Sequence, residues 1–399
     1  MIFSTYWFLI AAALFLPFYF LVRNANLRFA ALILFCVIFH THFAGPAGVL
    51  PIVVLGVFTY FAGISRHPTV CSLLMCLCVA ALCFYKYTHF FVSDILAHVS
   101  PQLATLATQQ TSHSLPAAPP LAVSFFVFEF VHYLFEIRKG KEPITNVFEF
   151  AQFTLFFPSL VAGPIKRYKE FIPSLHEGLK TANREDVMKG FYRVLGGFFK
   201  KSVIADNLTL YITAASPRFP SLTLPERWLF VGAIALRIYF DFSGYTDMAI
   251  GFARMLGVRL PQNFNWPYVA RSIQEFWQRW HISLSSWIRD YVYIPLGGSR
   301  HGLVRRVCNG LIAFVLCGLW HGAAWNFVLW GLYHGLGLAF CSSYRKMFGP
   351  VGELAGRAMD RVPAASWALT TAFVSIGWLL FFYPVSQAWD MTRLLFCKT

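Results

Sequence analysis

Two histidines, His281 and His321, carry the side chains best suited to chemistry in this sequence. His281 lies among tryptophans and serines, whereas His321 precedes Gly322-Ala-Ala and stands one turn before Trp325. A neutral imidazole is the usual general base for taking a proton from a hydroxyl group. Inside a hydrophobic segment an imidazole is costly unless it faces protein or water. Together the two histidines indicate a catalytic site, with His321 the stronger candidate and His334 a weaker, structural one.

Asn326 and Trp325 extend this candidate site beyond His321. The amide of Asn326 is suited to orienting the imidazole or to binding a developing oxyanion. The small residues between His321 and Trp325 leave room for a substrate or for a close helix neighbour. We therefore expect both side chains to contact the substrate.

The neighbours of His281 are candidate site residues because of their helical spacing. Trp277 and Ser285 stand four residues before and after it, so one continuous helix would place all three side chains on one face. On another face, Glu275 and Arg279 are spaced for an ion pair. Taken alone, His281 is also typical of an aromatic belt at a membrane interface. We expect Trp277 and Ser285 to line a substrate site.

Asp241 and Asp247 lie in an apolar stretch, residues 228–252, which must therefore face protein rather than lipid. Six residues apart, they do not share a helix face well, so an acid/base couple is disfavoured. We expect them to cap a broken helix or to bind Arg237 and Arg254. Asp241 is retained as a weaker candidate for substrate contact.

The composition places these residues in an integral membrane protein. Of 399 residues, 57% are hydrophobic and only 13% are charged, with a mean hydropathy of +0.56. The net charge of +15 arises from Lys and Arg in short loops, as membrane topology explains, so no nucleic-acid partner is expected. The nine cysteines show no paired CxxC spacing. We expect no metal site and no resident cofactor.

Apolar runs of about 20 residues predict an all-α, polytopic fold with about ten membrane crossings. The predicted crossings are residues 2–22, 29–44, 49–64, 70–92, 121–135, 191–211, 228–252, 307–320, 322–341 and 367–383. Residues 147–161 are too short to span and predict a re-entrant element, and residues 263–300 predict helices lying partly in the membrane or at its cytoplasmic face. The polar, Pro-rich segment 93–120 is typical of an extracytoplasmic loop.

Four ordered strings resemble the membrane-bound O-acyltransferase family, in the branch that contains alginate O-acetyltransferase and the D-alanyl transfer protein of teichoic acid. The strings are FPSLVAGPIKRY at 157–168, YFDFSGYTDMA at 239–249, FWQRWHISLSSW at 276–287 and LWHGAAWNFVLWG at 319–331. The resemblance covers roughly residues 120–399. It implies that His321 is the catalytic histidine, that His281 is a second functional histidine, and that a central tunnel crosses the core.

The resemblance also implies a division of the chain into N-terminal transmembrane helices with an extracytoplasmic loop, residues 1–120, and a catalytic core, residues 121–399. A tunnel would solve a physical problem, because the thioester donor is cytoplasmic, the hydroxyl acceptor is outside, and a charged coenzyme cannot cross. We expect acetyl transfer from acetyl-CoA toward an exported polysaccharide. A separate extracytoplasmic acetyltransferase is the expected partner, and the bacterial cytoplasmic membrane is the expected location.

A cluster of cations could hold the phosphates of coenzyme A or of a carrier's phosphopantetheine. Ordinary topogenic charge explains the same residues equally well. The cluster comprises Arg138, Lys139, Lys141, Lys166, Arg167 and Lys169.

Two further assignments stay open. D-alanyl transfer from a carrier protein to a teichoic-acid-like polymer is favoured by the chain length and the early C-terminal stop, whereas IPLGGSR at 294–300 resembles the polysaccharide acetyltransferases. At Phe382-Tyr383-Pro384 the sequence departs from the acetyltransferases, which commonly carry an Arg there. This difference leaves the C-terminal boundary of the substrate pathway open. A proton-coupled transporter using the histidines and aspartates would require inverted repeats, which we do not detect. A purely structural scaffold is the least favoured assignment.

Overall fold

The computed structural model describes residues 2–114 and 119–397, which form helices and no β-strand. The all-α prediction is therefore confirmed for this part of the chain. The α-helices are α1 (Tyr6–Leu21), α2 (Ala25–Ser65), α3 (Pro68–Phe90), α4 (Ala97–Val99), α5 (Pro101–Ser114), α6 (Val123–Arg138), α7 (Val147–Leu155), α8 (Tyr168–Thr181), α9 (Arg184–Phe198), α10 (Asp206–Ala215), α11 (Leu224–Met255), α12 (Ile273–Arg279), α13 (Ile282–Ile288), α14 (Gly302–His321), α15 (Trp325–Met347), α16 (Gly349–Arg361), α17 (Pro363–Phe382) and α18 (Val385–Leu394). Short 3₁₀ helices are Ile2–Ser4, Ser216–Ser221 and Pro267–Val269, and π-helical segments are Phe91–Leu96, Phe199–Ala205 and Arg289–Tyr293.

Four helical stretches in the described residues are long and apolar enough to cross a membrane. They are α2, Pro68–Val99, α14 and α17, and α1 is a shorter apolar helix. Together they make the chain a multi-pass membrane protein, while the predicted number of about ten crossings stays a prediction. Helix α2 contains a kink at Gly45, whose φ of 66° is non-helical, followed directly by Pro46. The kink falls between the predicted crossings 29–44 and 49–64. Pro46 contributes to it because proline has no N–H group to donate to a helical hydrogen bond.

The segment predicted as an extracytoplasmic loop, residues 93–120, is helical for most of its length, while its location outside the membrane stays a prediction. Residues 91–114 are helical, apart from a break at Ser100, while residues 115–118 lie outside the described residues. Pro101 is the first residue of α5, a position where its missing N–H costs nothing. Proline is typical of loops, but Pro101 marks the start of a helix.

The described chain forms two compact units, the first made of Met1–Gly196 and Tyr245–Pro261 and the second of Gly197–Gly244 and Gln262–Thr399. The predicted boundary between residues 120 and 121 concerns where a catalytic core begins and stays a prediction. In the first unit, the Phe8 ring lies 5.8 Å from Phe39, 5.9 Å from Phe157 and 5.1 Å from Phe252. Aromatic packing of this kind gains both buried area and favourable ring geometry.

In the second unit, α14 and α15 approach each other through glycines. A Cβ atom added at Gly318 would lie 2.1 Å from the backbone oxygen of Phe327, and one added at Gly331 would lie 2.3 Å from that of Phe314. Small residues at such contacts let two helix backbones touch. The contact fixes the end of α14, where His321 lies, against the first turns of α15.

We predict that Gly318→Ala lowers the stability of the protein by about 1–3 kcal/mol, because the new methyl group meets backbone that cannot move aside. Thermal unfolding of the detergent-purified protein measures this change. Gly310→Ala, on the same helix, is the matched control because nothing lies within 4 Å of its added Cβ. Equal unfolding temperatures for the two variants would contradict the close packing of α14 against α15.

Candidate active site

The helix predicted to run through His281 is broken at that residue. Helix α12 ends at Arg279, Trp280 is extended, His281 is left-handed with φ 42° and ψ 55°, and α13 starts at the next residue. The N–H of Ile282 donates to the backbone oxygen of Asn263 at 2.9 Å instead of to a helical carbonyl. The expectation that Trp277 and Ser285 share a helix face with His281 is therefore wrong.

The ion pair predicted within α12 is confirmed. Arg279 Nε donates to Glu275 Oε1 at 2.9 Å, and Arg279 also donates to the backbone oxygen of Asn265 at 3.1 Å. The guanidinium thus ties α12 to the segment that precedes it. That segment carries Asn263, which holds the ring of His281.

A single amide oxygen fixes the orientation of His281. Asn263 Oδ1 accepts from the backbone N–H of Ser283 at 3.2 Å and from Ser283 Oγ at 2.9 Å, so this atom faces donors. His281 Nδ1 lies 3.0 Å from the same oxygen and must carry the proton that it donates there. In the neutral ring the other nitrogen, Nε2, is then the basic one, and it has no hydrogen-bond partner among the described residues.

His281 is buried, with 1% of its surface exposed, and it lies outside the four candidate membrane spans. Burial lowers its pKa to about 3, because an apolar environment disfavours the charged imidazolium. The ring of Phe242 packs edge-on against it at 4.7 Å. His281 is therefore neutral at physiological pH, and its Nε2 is suited to accepting a hydrogen bond rather than to holding a proton.

His321 is the last residue of α14 and is half-buried. Gly322 follows in an extended conformation, and a Cβ atom there would lie 2.1 Å from the Phe327 ring. The His321 ring packs edge-on against Trp330 at 5.2 Å and Phe381 at 5.0 Å. The C-terminal end of a helix carries partial negative charge, which favours the imidazolium that a general base becomes.

Aromatic rings connect the histidines to one another. Trp320 contacts His281 at 5.9 Å and His321 at 4.6 Å, measured between ring centroids. Trp330 contacts His321 and also the fully buried His334, at 4.9 Å. The structure therefore brings all three sequence-predicted histidines into one aromatic cluster.

The other predicted residues near the histidines divide into two groups. Trp277 is buried and packs against Trp330 at 5.8 Å and His334 at 5.2 Å, inside the cluster. Asn326 instead donates from Nδ2 to the backbone oxygen of Leu380 at 3.2 Å, which ties α15 to α17. Trp325 is 47% exposed at the start of α15.

A cavity of about 790 Å³ lies next to this cluster, surrounded by α12, α13, α14 and α15. The described residues that line it fall between 274 and 342 and include Trp277, Ser285 and Cys317. Cys317 precedes His321 by one helical turn, which places both on one face of α14. Ser285 Oγ donates to the backbone oxygen of Trp280 at 3.3 Å. The cavity has a volume typical of small-molecule sites.

Asp241 lies elsewhere in the second unit. Its carboxylate is 2.8 Å from Lys201 Nζ and 3.7 Å from Arg237 Nη2, so the predicted pairing with Arg237 is confirmed. Asp247 pairs with Arg193 at 2.9 Å rather than with Arg254. Helix α11 runs unbroken through both aspartates, so the expected helix break is wrong. Asp241 does not line the cavity described above.

The members of the predicted cationic cluster lie in different environments. Lys166 is buried, pairs with Glu129, and lies 5.1 Å from the centroid of the Phe153 ring. Lys169 pairs with Glu136 at 3.4 Å. The exposed members are Arg138, Lys139, Lys141 and Lys169. Lys166 and Arg167 line a smaller cavity of about 360 Å³ in the first unit. Across the described residues, no three His, Cys, Asp or Glu side chains converge as metal ligands.

The model of MBOAT, the membrane-bound O-acyltransferase family, matches residues 127–386. The chain belongs to this family. The matched region includes parts of both compact units and all three clustered histidines.

Curated relatives of this chain act on different polymers according to their names. It is 35% identical over 323 residues to the probable alginate O-acetylase of Pseudomonas putida, covering 80% of this chain and 63% of the relative. It is 32% identical over 359 residues to the peptidoglycan O-acetyltransferase of Helicobacter pylori, covering 82% and 65%. The teichoic acid D-alanyltransferase of Bacillus subtilis is 29% identical over 254 residues, covering 60% and 64%. The chain therefore spans less than two thirds of the length of each.

Asn263, Trp320 and Trp330 are site residues that the sequence reasoning did not assign. Asn263 lies 18 residues before His281, a separation with no helical or strand period. Trp320 and Trp330 stand in the string that carries His321. The sequence contains a signal for these two tryptophans, because both lie close to His321, the candidate base.

We predict that His281→Gly is more stable than His281→Ala by about 1 kcal/mol, because alanine at this left-handed position carries a backbone cost that glycine avoids. Both variants lose the imidazole, so their difference isolates the backbone. Thermal unfolding in detergent measures it. A more stable alanine variant would show that the chain at residue 281 is not held in the left-handed region.

Proposed function

We propose that this chain transfers an acyl group, acetyl in our assignment, from the cytoplasmic thioester acetyl-CoA toward hydroxyl groups of an exported cell-surface polysaccharide. His321 is the general base of this proposal, and His281 assists it. The family match and the similarity to the probable alginate O-acetylase and to the peptidoglycan O-acetyltransferase support the reaction class. The polysaccharide acceptor is inferred from those relatives' names.

One structural observation carries the proposal. The helix that ends at His321 also forms a wall of the 790 Å³ cavity, and Trp277 lines that cavity while packing against the rings around His321. A thioester in the cavity would then approach the histidine cluster from the side of Trp277. Acyl transfer from a thioester needs little more than such positioning and a base, because the thioester is already activated.

The proposed reaction is a nucleophilic substitution at the thioester carbonyl. The acceptor oxygen bonds to the carbonyl carbon while His321 takes the hydroxyl proton. The carbon–sulfur bond then breaks, and the coenzyme thiolate leaves and takes up that proton from the imidazolium. His281, held neutral by burial and oriented by Asn263, presents Nε2 to the same aromatic cluster.

The proposal places further requirements on the molecule. Donor and acceptor on opposite sides of the membrane require a tunnel through the core. We also propose about ten crossings, more than the four candidate spans found among the described residues. The expected partner is an extracytoplasmic acetyltransferase that passes the acetyl group to the polymer. The expected location is the bacterial cytoplasmic membrane.

A second candidate, D-alanyl transfer from a carrier protein to a teichoic-acid-like polymer, is supported by the similarity to the Bacillus subtilis enzyme. The donor chemistry is closely related, because carrier proteins also present a phosphopantetheine thioester. Acetyl transfer is preferred since the two acetyl-transferring relatives match over more of this chain.

We predict that His321→Ala lowers coenzyme release from labelled acetyl-CoA at least about 100-fold, because a general base contributes that much to proton transfer. The assay uses detergent-purified full chain with and without a polysaccharide acceptor. His301→Ala is the matched control, since this exposed histidine lies just before the same helix.

Equal activity in the wild type and the His321→Ala variant would remove His321 from the mechanism. If the wild type releases no coenzyme from acetyl-CoA but accepts a D-alanyl carrier thioester, the donor assignment fails and the second candidate replaces it. Comparable unfolding temperatures for the variants ensure that lost activity reports chemistry rather than folding.

We also predict that N-ethylmaleimide inactivates the wild type through Cys341, a partly exposed thiol in the cavity lining, and that coenzyme A slows the inactivation. A maleimide adduct there would occupy the donor's space. Cys341→Ser should retain activity and resist the reagent, with exposed Cys308 still present as an internal control. If the Cys341→Ser variant is fully inactivated at the wild-type rate, Cys341 is not the thiol responsible, and the prediction that the donor occupies this cavity fails.

A further inference from the structure

The 790 Å³ cavity extends along α14. Arg306 and Cys317 both line it and are eleven positions apart in α14, which corresponds to about 16 Å along the helix axis. The end near Cys317 and Trp277 adjoins the histidine cluster. The other end is formed by Arg306 with Ser342 of the antiparallel helix α15. A long, narrow ligand with a charged end and an uncharged reactive end fits this arrangement.

Arg306 is held in place without an acidic partner. Its Nη2 donates to the backbone oxygen of Ser342 at 3.1 Å and to Ser343 Oγ at 2.9 Å. In the described part of the chain no carboxylate lies within ion-pair distance of it, and its Nε is buried without a hydrogen-bond partner. The other arginine of the lining, Arg289, pairs with Asp290 at 2.8 Å. Arg306 is thus an oriented cation whose charge is not offset.

We propose that Arg306 binds the phosphate of a phosphopantetheine thioester whose acyl end reaches Trp277. This assignment rests on the proposed function, and it identifies the class of donor by the anion at the far end of the arm. A guanidinium and a phosphate form short, charge-assisted hydrogen bonds, and Arg306 has donor atoms left for them. Coenzyme A and a carrier protein share this phosphate, so the contact serves either donor.

The same observation relocates the phosphate site expected from the sequence. Lys166, a central member of the predicted cationic cluster, is buried and already paired with Glu129. Lys169 is paired with Glu136. Neither lines the cavity that adjoins the histidine cluster, whereas Arg306 does.

The test compares the binding of 4′-phosphopantetheine and pantetheine, which differ only in the phosphate, by isothermal titration calorimetry of the detergent-purified full chain. In the wild type we expect 4′-phosphopantetheine to bind about tenfold or more tightly than pantetheine, because charged hydrogen bonds to phosphate are worth that much. In Arg306→Gln we expect the two affinities to become nearly equal. Arg306→Lys, which keeps the charge, should retain part of the preference.

Arg305→Gln is the matched control, because Arg305 is the exposed neighbour on the same helix and does not line the cavity. It should keep the wild-type preference. The proposal is overturned if the wild type shows no preference for the phosphate, if Arg306→Gln keeps it, or if Arg305→Gln loses it equally.

Coenzyme A as a third ligand distinguishes the phosphates. If Arg306 binds the shared phosphate, Arg306→Gln weakens coenzyme A and 4′-phosphopantetheine by the same factor. A loss confined to coenzyme A would overturn the proposal, because it would place Arg306 against the nucleotide phosphates. These ligands are thiols and need no turnover, so failure of the proposed acyl transfer would show in the His321 assay and not in the phosphate preference.

Discussion

The contact between α14 and α15 is the constraint on which the site depends. The two helices are joined by three residues, and glycines at 318 and 331 let their backbones touch. His321 ends the first helix, and Trp330 lies on the second, so the distance between their rings follows from this approach. A larger residue at either glycine would move the base relative to the cavity wall. Close packing, rather than any single polar bond, therefore positions the candidate base.

Polar groups in this apolar cluster obey a strict rule. A buried imidazole is tolerated when it is neutral, and His281 meets this condition because burial lowers its pKa to about 3. The hydrogen bond to Asn263 satisfies its Nδ1–H group. Neutrality is also what a base needs before it accepts a proton. The rings of Trp330 and Phe381 pack edge-on against His321, which stays half-buried. The cluster therefore holds His281 in its neutral form and leaves the candidate base His321 partly accessible.

Elsewhere the protein pairs many of the charges it buries or half-buries. Lys166 pairs with Glu129, Asp241 with Lys201, and Arg254 with Asp186 at 2.6 Å. Removing a charge from water costs several kcal/mol unless an opposite charge or hydrogen bonds offset it. Arg306 and Arg227 differ from these cations, since the hydrogen bonds of both go to neutral oxygens. Of the two, only Arg306 lines the cavity, and this position is what suits it to binding an anion.

The sequence by itself determined the helical membrane character and the family, and it predicted the segment around His321 as the candidate site. These properties depend on composition and on short ordered strings, which local residue types carry directly. Only the tertiary structure decided that the chain breaks at His281, that Asn263 orients that ring, and that Lys166 is buried. Each depends on a partner distant in sequence: the backbone oxygen of Asn263 takes the hydrogen bond of Ile282, and Glu129 offsets the charge of Lys166. The local sequence pattern indicates whether a segment favours a helix. A hydrogen-bond or ion-pair partner from a distant segment can outweigh that preference.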